Sequence, residues 1–412
     1  MSENLSRPPA WLTVATGMLI IIAVLVFARL AFGLVLPAMR EGLGLSYQQA
    51  GYLGTASALG YLAMVLYAGV VAARRGGRFA VMLGIGVTTV GFVGLSLVPG
   101  YLPALALMVL LGVGTAFGFT PLISLVSAWY PKTRGAIIGF LISGVGFGML
   151  LSGWMVPRVI ALFDGTGWRQ VWMVFACGGV LAWLAAFAFL KNPPLQQGHV
   201  VTRSERRQVF RNPHVITVGL LYGVIGVIYI VQSVFMYSFA VKEGVSPIAA
   251  GNLTAVMGLL VALSGPGWGW FGDRFGRGLT LSISTTTVTL ATALPVVWPE
   301  FNGFVAHYLL LGAAMNGMFI TILAIASERV SMREAPVAVS FVTVFFATGQ
   351  LVGPVGAGIL IELSGFRVAF GAVCLVLVAG IFLSLRLHRF PALAAGTRTD
   401  SANFDDNCRR QS

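Results

Sequence analysis

Charged residues are scarce in this chain. Only 9% of its 412 residues are Asp, Glu, Lys or Arg, whereas soluble domains carry about 25%. Hydrophobic residues make up 57% and the mean hydropathy is +0.89, so the few charges cannot cover a water-exposed surface. The composition excludes a soluble enzyme, a disordered chain and a nucleic-acid-binding protein, despite the net charge of +13.

Groups of metal-binding or catalytic side chains are also missing. The three cysteines form no C-x-x-C pair, and the four histidines are scattered without an H-E-x-x-H motif. We therefore expect no catalytic residue, no metal and no cofactor, and a protein that is not an enzyme. An integral-membrane enzyme stays open as an alternative, although it would need a nucleophile and a base, or a metal site, within the bilayer.

Long apolar runs are abundant, and each can cross a hydrocarbon core of roughly 30 Å as a helix. The sequence predicts an all-α integral membrane protein with 12 transmembrane helices. The predicted spans are 11–37, 48–72, 79–98, 101–127, 135–160, 168–190, 214–240, 249–271, 279–298, 301–327, 336–361 and 366–387.

The basic residues predict the orientation of these spans. Twenty lie on the side of the chain termini, one (Arg29) lies inside a span, and the other side holds five: Arg40, Arg158, Arg169, Lys242 and Arg367. The positive-inside rule places the basic side, with both termini, in the cytoplasm. We expect a multi-pass protein of the cell inner membrane, which makes the lipid bilayer its surroundings.

The chain repeats itself at an offset near 200 residues. Ser46 and Gly51 match Ser246 and Gly251, and further matches follow in the same order along both halves. Two pseudo-symmetric six-helix bundles with a substrate site between them are typical of transporters. The predicted organisation is a tail (1–10), a bundle (11–190), a cytoplasmic linker (191–213), a second bundle (214–387) and a disordered tail (388–412).

Two loop motifs carry a resemblance to a known family. Residues 269–277, GWFGDRFGR, resemble the G-x-x-x-D-R-x-G-R loop of the major facilitator superfamily, and 129–135, WYPKTRG, resemble its junction after the fourth span. Residues 29–39 with 51–54 are similar to its YbfB/YjiJ-like branch. The resemblance implies the major facilitator fold and transport by alternating access.

The resemblance also implies a cytoplasmic latch between the two halves. Its residues here are Gly69, Arg74, Gly76, Gly269, Asp273, Arg274, Gly276 and Arg277. A carboxylate at a helix end can pair with Arg and cap a facing helix. The first half departs from the pattern, because Ala73 occupies the acidic position. The alternative is that these charges only set the topology.

Arg29 is the one charge that lies well inside a span rather than near its end. It lies about 27 Å along the first helix at 1.5 Å per residue, which predicts a place in the outer half. No Asp or Glu lies well inside any predicted span. A buried arginine without a carboxylate, in a helix that lines the cavity in this superfamily, favours binding of an anion such as a carboxylate. Alternatively, Arg29 extends to the interface or binds carbonyl groups.

Other polar side chains are candidates for contact with a substrate. They are Tyr61, Tyr229, Gln232, Asn316 and Gln350. The alternative for each is a hydrogen bond that holds two helices together. His307 is the titratable group considered for proton coupling, while facilitated or exchange transport stays equally open.

The function predicted from these observations is a secondary active or facilitative transporter, expected to be a monomer. Its substrate is predicted to be a small, carboxylate-like organic anion, with no nucleic acid as partner. The alternative is a proton-coupled multidrug or metabolite exporter. Such exporters typically have an Arg in the fourth span, where this chain has Met108, and a Gly-Pro pair in the fifth, which it lacks before Pro157. A non-transporting nutrient receptor is a third possibility.

Overall fold

The computed structural model describes residues 9–130, 133–193, 209–328, 330 and 334–389, and within these ranges the chain forms helices and no strand. Eleven helices in the described ranges are long and apolar enough to cross a membrane, and the longest of them contains two spans. The predicted all-α membrane fold is thus confirmed. Most of the predicted linker, residues 1–8 of the N-terminal tail and residues 390–412 of the C-terminal tail lie outside the described residues.

The helices follow the predicted spans closely. The first span consists of α1 (Ala10–Ile21), a π-helical segment (Ile22–Leu30) and α2 (Phe32–Leu43). The others are α3 (Tyr47–Arg75), α4 (Gly77–Leu97), α5 (Tyr101–Trp129), α6 (Arg134–Leu162), α7 (Gly167–Phe189), α8 (Pro213–Lys242), α9 (Pro247–Phe275), α10 (Arg277–Val297), α11 (Phe301–Glu328) and α12 (Ala335–Arg389). Gly365, at φ 83°, divides α12 into the last two spans, 335–364 and 366–389.

The predicted end of the first span, at Pro37, is wrong. A proline inside a helix removes one backbone hydrogen bond, and here the helix continues through it to Leu43. The helix ends at Gly44, whose φ of 62° suits glycine, and the Leu45 N–H donates to the Arg40 carbonyl at 2.9 Å. The longer helix leaves more of the first span beyond Arg29 than the sequence predicted.

The internal repeat seen in the sequence is also a repeat of backbone structure. The bounds of α3 and α9 differ by 200 residues at both ends, as do those of α4 and α10. Ser46 and Ser246 both cap the following helix, each accepting a hydrogen bond from the N–H three residues later. Gly76 and Gly276 join the next pair of helices with φ values of 92° and 91°.

The two halves pack closely at the end of the bundle opposite the basic loops. Gly51 of α3 lies against the Pro354 carbonyl, and Gly33 of α2 lies against the Ser233 carbonyl of α8. The Tyr47 N–H donates to Glu362 Oε2 at 2.7 Å, across the same end. Glycine allows these close approaches because it has no Cβ.

The halves separate toward the other end, which we call the basic end. A Cβ added at Gly153 of α6 would lie 2.6 Å from the Gly251 oxygen of α9, and one at Gly146 would lie 2.5 Å from the Gly258 oxygen. Gly139 lies on the same face of α6, nearer the basic end. A Cβ added there would meet no atom of the described residues within 4 Å. Since the positive-inside rule predicts that the basic end lies in the cytoplasm, we refer to this conformation as inward-facing.

Candidate substrate site

Arg29 lies in the π-helical segment, whose wider turns the sequence did not predict. At its end the Ala31 N–H donates to the carbonyl five residues back, at 2.8 Å. Two hydroxyl groups bind carbonyls of the segment: Thr115 Oγ1 donates to Val24, and Ser233 Oγ donates to Leu30 at 3.1 Å. Because Thr115 and Ser233 belong to different halves, both halves hold the segment that carries Arg29. Such π-helical turns are frequent at functional sites.

The guanidinium of Arg29 is buried between the halves and is only partly hydrogen-bonded. The side chain is 5% exposed, and its Nη2 donates to Gln350 Oε1 at 2.9 Å. Its Cζ lies 5.3 Å from the centroid of the Tyr61 ring, and Tyr229 lies nearby. The Nε atom is buried without a hydrogen-bond partner among the described residues. An arginine remains charged even here, so this site holds a positive charge with a free donor.

The predicted position of Arg29 in the outer half is wrong. Its neighbours lie at the middle of their helices: Tyr61 is the fifteenth of the 29 residues of α3, and Tyr229 is the seventeenth of the 30 residues of α8. Gln350 lies midway along the span 335–364. The site is therefore central, because the first span extends beyond Pro37 on the outer side.

No carboxylate offsets this charge inside the described part of the bundle. Each Asp and Glu in the described ranges lies at or beyond a helix end: Glu41, Asp164, Glu243, Asp273, Glu300, Glu328, Glu334 and Glu362. The Gln350 oxygen is a neutral acceptor and leaves the charge of Arg29 unbalanced. A buried charge without a counter-ion is costly, and a negatively charged group beside Arg29 would lower that cost.

Four of the six predicted site residues lie together: Arg29, Tyr61, Tyr229 and Gln350. The Tyr61 hydroxyl is 3.4 Å from Thr120 Oγ1 of α5. The Tyr61 ring thus contacts the guanidinium from the first half, and Tyr229 lies nearby in the second half.

The other two lie elsewhere, in hydrogen bonds between helices of the second half. Gln232 Nε2 donates to Thr292 Oγ1 of α10 at 2.8 Å. Asn316 Nδ2 donates to the Val261 carbonyl of α9 at 2.5 Å. His307 is also buried in this half, where its Nδ1 lies 2.7 Å from the Ala291 carbonyl. These three side chains hold α8, α9, α10 and α11 together.

The residues of the predicted latch are apart in this conformation. Gly69 and Gly269 lie in open surroundings, and the exposed Arg274 packs over the ring of Trp270, with its Cζ 5.6 Å from the centroid. Asp273 is exposed and has no ion pair among the described residues. Arg74, Gly76, Gly276 and Arg277 occupy the matching helix junctions.

The first half holds its junction in another way. The Arg78 N–H donates to Asn192 Oδ1 at 2.8 Å, and the Arg78 guanidinium donates to the Phe187 carbonyl at 2.6 Å. Gly76 packs against the same Asn192 amide. This half, which has Ala73 at the acidic position, is therefore tied to the end of α7.

Several residues around the site were not identified from the sequence. Thr115 binds the π-helical segment, while Phe319 and Phe346 pack beside Tyr229 with ring centroids 5.3 and 6.1 Å away. The spacing of four residues between Phe346 and Gln350 places them on one helix face, and this was a usable signal. Nothing in the sequence distinguishes Phe319 from the other phenylalanines.

Two repeated helical bundles with a buried, uncompensated arginine between them define a membrane transporter of the alternating-access kind. Over residues 21–385 the sequence matches the family described as uncharacterised MFS-type transporter YbfB, and the chain belongs to this family of the major facilitator superfamily. The resemblance seen in the loop motifs is confirmed.

Similar proteins are also transporters. Mouse (Mus musculus) monocarboxylate transporter 11 is 25% identical over 379 residues, which cover 87% of this chain and 83% of that protein. The hexuronate transporter of Bacillus subtilis is 25% identical over 40% of this chain and 39% of its own length. The uncharacterised transporter ESBP6 of Saccharomyces cerevisiae is 25% identical over 44% of this chain and 28% of its own length.

Solved structures share the fold. A bacterial homologue of the human lysosomal transporter Spinster, in an inward-facing and unoccupied conformation, aligns over 94% of this chain and 98% of its own with a TM-score of 0.78 and 17% identity. The nucleoside transporter NupG aligns over 91% of this chain and 99% of its own, with a TM-score of 0.74 and 14% identity.

Proposed function

We propose that this protein is a secondary transporter for a small organic anion that carries a carboxylate or a similar group. Arg29 supports the proposal most directly, because it is buried at the middle of the bundle with its Nε unpartnered and without a carboxylate counter-ion in the described part. An incoming carboxylate would supply the missing charge and accept two hydrogen bonds from the guanidinium. We also propose that the protein works as a monomer in the inner membrane.

The transport cycle follows from the position of Arg29 between the halves. In the inward-facing conformation the anion reaches Arg29 from the basic end and replaces the Gln350 oxygen, which bridges the two halves at 2.9 Å. Loss of this bridge favours separation of the halves at the outer end. Closure of the basic end then brings the latch around Asp273 together, and the anion is released on the outer side or enters from it.

The absence of carboxylates inside the described bundle also bears on the alternative function. A site for lipophilic cations, as in a multidrug exporter, needs a buried acidic group, and the described spans hold none. Coupling to protons would have to use the substrate's own carboxyl group. We therefore favour the organic-anion transporter over the exporter.

The first test is thermal unfolding of the detergent-purified protein with a panel of carboxylates and lipophilic cations. A ligand at 100 times its Kd stabilises the folded state by about 2.7 kcal/mol. Carboxylates are expected to stabilise the wild type and not Arg29→Ala, while Arg29→Lys retains weaker binding because lysine has no bidentate fork. Arg386→Ala, which removes an exposed arginine at the basic end, is the matched control.

Uptake into proteoliposomes then tests transport itself. Carboxylates that stabilise the wild type should accumulate or exchange, and the Arg29→Ala protein should not move them. Equal stabilisation of wild type and Arg29→Ala by lipophilic cations, with no response to carboxylates, would refute the anion site in favour of the exporter.

A further inference from the structure

An aromatic patch lies next to Arg29 on its basic-end side. It consists of Tyr222 and Tyr229 of α8, Phe319 of α11 and Phe346 of α12. Tyr222 and Phe346 are stacked with centroids 4.5 Å apart, and Phe319 meets Tyr229 and Phe346 edge to face at 5.3 and 5.7 Å. The four rings form one continuous surface on the second half.

The aromatic patch is directed toward the space between the halves. Phe346 precedes Gln350 by one helical turn and shares its face of α12, and Gln350 reaches Arg29. Tyr229 lies near the guanidinium and packs against the first-half cluster of Val26, Leu30 and Met149. Tyr229, Phe319 and Phe346 are only half-buried, so part of each residue is accessible.

Several polar groups near this patch are already paired, and the free hydroxyl groups of the patch itself belong to Tyr222 and Tyr229. The Tyr61 and Thr120 hydroxyls lie 3.4 Å from each other, and Gln350 accepts from Arg29. The amides of Gln232 and Asn316 are bound to other helices. A polyhydroxylated acid would bring more hydroxyl groups than these two tyrosines can pair, and each unpaired group costs free energy.

These observations narrow the substrate class. We propose that the transported anion is a monocarboxylate with a planar apolar body, such as an aryl or arylalkyl acid. Its carboxylate binds Arg29 and its ring packs on the aromatic patch, where offset-stacked and edge-to-face contacts are favourable. This inference rests on the proposed function, since it takes Arg29 as the anion site.

The test is calorimetric titration of the purified full chain with four probes: phenylacetate, acetate, glucuronate and the neutral benzyl alcohol. We expect phenylacetate to bind about 10-fold more tightly than acetate or glucuronate, because the ring adds aromatic contacts. Phe319→Ala and Phe346→Ala should each weaken phenylacetate binding about 10-fold and leave acetate binding unchanged. Phe319→Leu keeps an apolar side chain of similar size, and should weaken phenylacetate binding even if an alanine variant fails to fold.

Phe382→Ala is the matched control, because this phenylalanine lies in the last span and is 66% exposed. It should bind all four probes as the wild type does. Tighter binding of glucuronate than of phenylacetate, or unchanged phenylacetate affinity in the Phe319 and Phe346 variants, would overturn the aromatic assignment while Arg29 stays the anion site. Failure of the proposed function looks different: benzyl alcohol would bind as well as phenylacetate, and Arg29→Ala would change neither.

Discussion

Two glycines lie on the face of α6 that packs against α9. Their substitution by alanine is expected to have opposite effects on the inward-facing conformation. Gly153 and Gly139 lie 14 residues apart on the same face of α6. The added methyl of Gly153→Ala would lie 2.6 Å from the Gly251 oxygen and the Ala255 nitrogen, whereas that of Gly139→Ala would meet nothing within 4 Å in the described residues. The first substitution disturbs the inward-facing conformation, and the second leaves it intact.

The size of the effect follows from the contact distance. Ordinary contacts of a Cβ begin near 3.4 Å, so Gly153→Ala must push α6 and α9 apart by somewhat less than 1 Å. Overpacking of this kind costs about 1–3 kcal/mol, which changes a two-state ratio by about 5- to 150-fold. We expect Gly153→Ala to lower the ratio of the inward-facing to the outward-facing conformation by this factor. The higher helix propensity of alanine, about 1 kcal/mol, acts on both conformations and cancels.

Gly139→Ala should do the reverse. When the basic end closes, Gly139 is expected to approach Gly265 of α9 as Gly146 approaches Gly258 here. The same overpacking cost then falls on the outward-facing conformation, and the inward-facing population rises.

Distances between spin labels at the basic end measure these populations. Leu66 of α3 and Val344 of α12 are exposed positions on the two sides of the opening, 83% and 52% accessible, and suit labelling in a cysteine-free background. Pulsed electron resonance should find longer distances in Gly139→Ala and shorter distances in Gly153→Ala. A shift in the same direction for both variants, or no shift in Gly153→Ala, would refute the idea that the α6–α9 contact is close at one end in each conformation.

Three further predictions concern single side chains. Gln350→Glu places a carboxylate beside Arg29, and this internal counter-ion should weaken carboxylate binding at least about 10-fold in calorimetry. An affinity equal to that of the wild type would contradict the proposal that the substrate and residue 350 compete for Arg29. Asp273→Asn should slow uptake into proteoliposomes and leave the substrate Kd unchanged, because Asp273 has no ion pair among the described residues in this conformation; an altered Kd with normal uptake would argue against a latch. Glu243→Gln removes the exposed ion pair with Arg367, 3.0 Å long, and should change the free energy of unfolding by no more than about 1 kcal/mol, measured by chemical denaturation; a much larger loss would mean that the pair is better shielded than its exposure indicates.

Most of the fold could be predicted from the sequence, because it depends on composition and local pattern. The lengths of the apolar runs predicted the spans. The internal repeat predicted two halves, and the bounds of the matching helices α3 and α9, and of α4 and α10, agree at an offset of 200 residues. The end of the first span was missed since Pro37 looks like a helix boundary, although a proline costs the helix only one hydrogen bond there. The π-helical segment was missed because side chains of α5 and α8 stabilise it, and no local pattern records them.

The candidate site was predicted in part. Arg29 was identifiable because a charge inside an apolar run is costly and rare. Gln350, Gln232 and Asn316 are equivalent in the sequence, as amides inside apolar spans. The structure places Gln350 against Arg29, 321 residues away in the chain, and leaves the other two in bonds between neighbouring helices.

The sequence by itself determined that this protein crosses a membrane many times, as two related bundles with one buried positive charge. These properties follow from the free energy of moving each residue from water into lipid, which is local. The tertiary structure decided which end of the bundle is open, which side chains surround Arg29, and that a group of aromatic rings lies beside it. Those features depend on how helices distant in the chain pack against one another, and packing is fixed only when the two halves come together.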